Sequence, residues 1–158
     1  AALDMLLEEG LENAFRRHQM LADATRAAIE VWSKANVLSF NAVNPAERSN
    51  GVTTILVADG YDGAAIREVA REVFQTGLGG GLGKLNGKAF RIGHMGDMNE
   101  PMLLGALSAV EATLSYLDIP YERGGVDAAI RSIAAARKRM DQASSPITLV
   151  TPGTKPAA

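Results

Sequence analysis

Between Gly77 and Pro101 the chain reads GLGGGLGKLNGKAFRIGHMGDMNEP, and no other stretch limits the fold as strongly. Six glycines and two lysines lead into a short apolar run, Ala89 to Met95, with one arginine at its centre. An apolar run of that length, entered from glycine, reads as a strand, whose side chains alternate between two faces. Phe90 and Ile92 then anchor one face in a core, and Arg91 points from the other. Gly96 to Glu100 turns the chain, and Pro101 opens a helix. A guanidinium fixed on rigid backbone beside glycines suits a planar anion such as a carboxylate. Alone, this gives a binding role and not a reaction.

The chain before this stretch opens on a long amphipathic pattern. Leu3, Leu7, Leu11, Ala14, His18, Leu21, Thr25, Ala28 and Trp32 recur at three- and four-residue steps, which predicts one helix over residues 1–33. At ~1.5 Å per residue such a helix is about 45 Å long, a length suited to tying two domains together. It starts without a capping residue, as expected of a chain cut within or just before the helix. His18 lies in the apolar stripe, the place of a core or interface histidine with one satisfied hydrogen bond. Val52 to Ala58 is a β-branched strand, and Asp62 caps a helix carrying Ile66, Val69, Ala70, Val73 and Phe74 on one face, closed by Gly77.

After Pro101 the apolar stripe is Leu103, Leu107, Val110, Leu114 and Leu117. A neighbouring face of Gly105, Ser108, Ala109 and Ala112 is small throughout, so this helix is expected to be covered on two sides. Gly124-Gly125 precede a last helix with Val126, Ala129, Ile130, Ile133 and Ala134 inward. Residues 144–158 read as a flexible tail after a domain of residues 1–143. The element order indicates an α+β fold: a small, mainly antiparallel sheet covered by helices on one face.

Several functions fall away on composition and spacing. The formal charge of −2 gives no field to draw nucleic acid, and Arg137, Lys138 and Arg139 sit where a helix dipole favours cations. No apolar run reaches the roughly 20 residues of a membrane span, so the chain reads as cytoplasmic, with no nucleic-acid or membrane partner. Without cysteine there is no thiolate metal site. His94, Asp97 and Glu100 have no recognised metal-ligand spacing. The glycine-rich stretch is not a P-loop, because Leu78 and Leu85 stand where glycine and a hydroxyl residue are required. It also lacks the dinucleotide spacing, and reads locally as a flexible connection.

The run from Gly79 to Asp97, followed by Asn99-Glu100, resembles the carboxy-terminal segment of serine–glyoxylate aminotransferases. These are class V, fold type I pyridoxal-phosphate enzymes, close to the alanine–glyoxylate aminotransferases. The opening Ala2 to Leu11, Arg17-His18-Gln19, and Asn44-Pro45-Ala46-Glu47 before the strand Val52 to Ala58 are similar to the same family, in register over nearly the whole chain. The resemblance implies the small domain of a homodimeric enzyme that moves an amino group from serine or alanine to glyoxylate. It implies that the opening helix joins two domains, and that Arg91 binds the α-carboxylate of the amino acid and the 2-oxo acid.

The departure is equally clear. Lys34, Lys84, Lys88, Lys138 and Lys155 are the chain's lysines, and none matches the family's cofactor lysine. Imine chemistry on pyridoxal phosphate needs that amine. This chain alone is therefore expected to be inactive and to hold no catalytic or cofactor-binding residue. A free-standing, non-catalytic α+β binding or assembly module remains the alternative.

Overall fold

The computed structural model describes residues 2–143, and the expected tail at residues 144–158 lies outside them. Four antiparallel strands form one sheet in the order β1-β2-β4-β3: β1 (Leu38–Phe40), β2 (Val52–Val57), β3 (Gly79–Gly80) and β4 (Ala89–Gly93). Five helices accompany it: α1 (Ala2–Glu9), α2 (Leu11–Trp32), α3 (Gly63–Glu72), α4 (Glu100–Tyr116) and α5 (Gly125–Ala143). This is the α+β architecture expected.

Alternation along β2 decides which face meets the helices. Thr53, Ile55 and Val57 are buried, whereas Val52, Thr54 and Leu56 are half-exposed on the other face. On β4 the buried pair is Phe90 and Ile92, each contributing about 1.5–3 kcal/mol through removal from water. The core continues through Leu21, Ile29 and Trp32 of α2, Ile66 of α3, and Leu103, Leu107 and Leu114 of α4. Asp62 accepts the Ala64 amide at 2.7 Å and Asn99 the Met102 amide at 3.0 Å, so α3 and α4 begin at side-chain caps.

One junction locks three helices together. The Trp32 indole at the end of α2 donates to Glu111 Oε1 of α4 at 2.8 Å. The same oxygen accepts the Val126 amide in the first turn of α5 at 3.1 Å. Gly125 lets α5 approach, because a Cβ there would stand 2.1 Å from Trp32 Nε1.

Several expectations need correction. The opening helix is not continuous: Gly10, at φ 82, breaks it into α1 and α2, and α1 buries no side chain. The apolar stripe runs through the break, so periodicity alone could not reveal it. α3 ends before Gly77, and Gln75 (φ 53) takes the left-handed conformation instead. Ile130 and Ala134 are exposed; the inward face of α5 is Ala129, Ile133 and Ala136. Gly105 and Ser108 are exposed too, so the described residues cover α4 on one side only. The glycine-rich connection is partly a strand, with Gly79 paired to Arg91 and Gly80 to Phe90.

Candidate functional site

Arg91 lies in the middle of β4, on the face turned away from the helices. Its cross-strand neighbours are Thr54 of β2 and Gly79 of β3. With Phe90 and Ile92 buried on either side in sequence, the strand cannot roll, and the arginine stem starts from a fixed point. Arg91 Nε donates to the Gly80 carbonyl at 2.7 Å. Its two terminal nitrogens have no protein partner among the described residues.

The glycines of β3 leave the space this requires. A Cβ on Gly79 would come within 3.1 Å of Arg91 Cβ and 3.2 Å of its Nε. The side chain therefore lies across bare backbone, half-exposed, with its charge unneutralised by any described carboxylate. Such a group offers two parallel N–H donors and a full positive charge to a planar anion. A cleft of about 350 Å³ lies beyond β3, lined by Ala64, Arg67, Glu68, Arg71, Gly77 and Leu78, and does not include Arg91.

The other candidates resolve differently. His94 is fully buried: Nδ1 faces the Asn50 carbonyl at 3.0 Å and Nε2 faces Thr53 Oγ1 at 2.9 Å. A proton on Nδ1, donated to that carbonyl, leaves Nε2 to accept the threonine hydroxyl. Burial pushes its pKa below the ordinary histidine value. With both nitrogens engaged, His94 ties the end of β4 to β2 and to the loop before it, apart from Asp97 and Glu100. His18 is half-exposed, with Nε2 3.3 Å from the Gly96 carbonyl. Arg17 reaches the same turn, donating to the carbonyls of Gly96 at 2.7 Å and Met98 at 2.9 Å.

A pyridoxal-phosphate site needs an amine set in a cleft with groups to hold the ring and the phosphate. Lys34, Lys84, Lys88 and Lys138 are all exposed, and Lys155 lies outside the described residues. The described residues do not fit that cofactor by themselves.

The alternation of the sequence gives the direction of Arg91 but not its acceptor, the Gly80 carbonyl, nor the packing of Arg67 against Gly80. Two consecutive glycines carry no alternation, so nothing local marks them as a strand.

No protein-family model matches the chain. Relatives do. A serine–glyoxylate aminotransferase of Arabidopsis thaliana is 44% identical over 130 residues, covering 82% of this chain and 31% of that protein. The serine–glyoxylate aminotransferase of Hyphomicrobium methylovorum is 38% identical over 157 residues, covering 99% of this chain and 36% of that protein. An L-aspartate–glyoxylate aminotransferase of Paracoccus denitrificans is also 38% identical, over 88% of this chain and 35% of its own length. In three dimensions the chain is similar to ureidoglycine–glyoxylate aminotransferase from Bacillus subtilis, with a TM-score of 0.75 and 28% identity over 84% of this chain and 33% of that one. The chain is thus homologous to part of a class V aminotransferase, and spans about a third of the length of the relatives it matches. Serine–glyoxylate aminotransferases are among these relatives, at 38–45% identity.

Proposed function

We propose that this chain is the substrate-binding, carboxy-terminal small domain of a homodimeric glyoxylate aminotransferase, with serine or alanine as the amino donor. Arg91 carries the reading: its terminal nitrogens have no partner among the described residues, its Nε is held, and its strand is anchored by buried neighbours. Each substrate of such an enzyme, amino acid or 2-oxo acid, presents a carboxylate that a fixed guanidinium can grip through two hydrogen bonds. That grip orients the rest of the substrate at a set distance from the strand. The amine that reacts with pyridoxal phosphate, and the groups that hold the cofactor, would come from protein outside this chain. The cofactor would supply the electron sink for amino transfer.

The test is made on the complete reading frame. Truncating a part-buried, charge-assisted pair costs about 2–5 kcal/mol, so Arg91→Ala should lower kcat/KM for serine and glyoxylate roughly 30- to several-thousand-fold. Arg91→Lys should recover part of that loss, since it keeps the charge without the fork. Near-normal kcat/KM in the alanine variant would remove Arg91 from the carboxylate site.

A further inference from the structure

β3 is two residues long and has no side chains, yet it stands between two guanidinium groups. On the open face Arg91 lies over Gly79 and donates through Nε to the Gly80 carbonyl at 2.7 Å. On the helix face Arg67 of α3 lies against Gly80: a Cβ there would be 2.8 Å from Arg67 Nη1, 3.0 Å from Cζ and 3.2 Å from Nε. Arg67 Nε donates to the Leu78 carbonyl at 3.3 Å. One arginine thus holds the backbone just before β3, and the next carbonyl but one along that backbone holds the other arginine.

This arrangement also fixes which edge of Arg91 a ligand meets. A guanidinium can grip a carboxylate side-on, through Nε and one terminal nitrogen, or end-on, through both terminal nitrogens. The Gly80 carbonyl occupies Nε, so only the end-on edge remains. Its direction depends on where β3 sits. β3 is an edge strand with a single paired neighbour, β4, and no side chain of its own to anchor it. Buried Leu78 just before it and the Gly81 amide, which donates to the Ala89 carbonyl at 3.0 Å, hold its two ends, and contact with α3 through Arg67 holds the bare strand between them.

Resting on the reading of Arg91 as the carboxylate anchor, we infer that Arg67 is a positioning residue for that site, acting through β3 to present Arg91 end-on. Arg67 touches no substrate. It holds the strand whose carbonyl holds Nε. Losing it leaves the charge of Arg91 in place but frees its direction.

The test combines a direct probe of this chain with a double-mutant cycle in the complete reading frame. In nitrogen-15 spectra of the chain, the Arg91 Nε–H, assigned by its absence in Arg91→Lys, should exchange slowly with water. Arg67→Ala should speed that exchange about 10-fold or more while leaving the amides of α4 and α5 protected. Arg67→Gln, which keeps a donor for Leu78, should restore part of the protection and covers the case in which the alanine variant folds poorly. In the complete protein, Arg67→Ala should raise KM for glyoxylate and serine about 10- to 100-fold with kcat little changed, because the lost orientation is shared by ground and transition states. In an Arg91→Ala background it should add nothing further.

Unchanged Nε–H exchange in both Arg67 variants would overturn the inference. So would an equal effect of Arg67→Ala with and without Arg91. If Arg91→Ala itself left KM and kcat unchanged, the carboxylate reading would fail first, and the inference with it. A normal Arg67→Ala beside a crippled Arg91→Ala would sink the positioning role alone.

Discussion

Glu111→Ala removes the acceptor shared by two donors from different helices. The Trp32 indole N–H, in a side chain with no exposed surface, loses its 2.8 Å bond, and the first turn of α5 loses a 3.1 Å bond to the Val126 amide. A buried donor left unpaired costs about 1–3 kcal/mol; the Val126 amide, half-exposed, can be partly rescued by water. The two losses together come to about 2–4 kcal/mol, a large share of the ~5–15 kcal/mol that holds an ordinary domain together. With a urea slope near 2 kcal/mol per M, the unfolding midpoint should drop by about 1–2 M. Trp32 is the only tryptophan, so its fluorescence reports the transition from the site itself. Glu111→Gln keeps an oxygen for both donors and should lose less than about 1 kcal/mol. Gly125→Ala attacks the same junction sterically, placing a methyl 2.1 Å from Trp32 Nε1, and should cost at least the ~1–3 kcal/mol of an overpacked core. The account fails if Glu111→Ala unfolds within experimental error of the parent, or if glutamine is as damaging as alanine.

Three further outcomes are expected of this chain. Because burial lowers the pKa of His94, the unfolded chain binds the proton more readily; stability is full above the ordinary histidine value of about 6.5 and falls as pH drops below it. Urea midpoints between pH 7.5 and 5 should show that slope, and His94→Gln should flatten it; Glu9, held below its ordinary value chiefly by its hydrogen bond from Arg17, contributes only nearer pH 4 and below. Leu3, Leu7, Leu11 and Phe15 are each at least half exposed, so the chain should self-associate, and sedimentation across a concentration series should show the average mass rising. A constant monomer mass would contradict this. Mixed with pyridoxal phosphate and reduced with borohydride, the chain should gain no site-specific label on any one lysine; stoichiometric labelling at a single position by peptide mapping would overturn the reading that the cofactor amine lies elsewhere.

What was legible in the sequence was local. The alternation of Phe90, Arg91 and Ile92, the cap at Asp62 and the stripe of α4 are each set by residues a few positions apart, and each stands as read. What was illegible depended on distant partners. β3 exists because β4 pairs with it, and no property of Gly79 or Gly80 announces that. The rotation of α5 is set by the Trp32–Gly125 approach, which turns Ile130 outward against its hydrophobicity. The break at Gly10 is a single backbone angle within an unbroken pattern. The candidate site divides the same way: the direction of Arg91 follows from its neighbours, whereas its hydrogen bond to Gly80 and the arginine beneath β3 follow from packing.

The break at Gly10 has a mechanical consequence. α1 has no fully buried side chain, and polar contacts help to set its angle to α2, among them the forked pair of Arg17 with Glu9 at 2.7 Å for each arm. A half-exposed pair at the surface, its side chains 20% and 31% exposed, is worth on the order of 1 kcal/mol and weakens as salt shortens the reach of charge. Arg17 itself belongs to α2, and its bonds to the carbonyls of Gly96 and Met98 do not depend on where α1 points. The joint therefore behaves as a universal coupling with one soft bearing: ionic strength can loosen the swing of α1, while the turn that follows the Arg91 strand stays clamped.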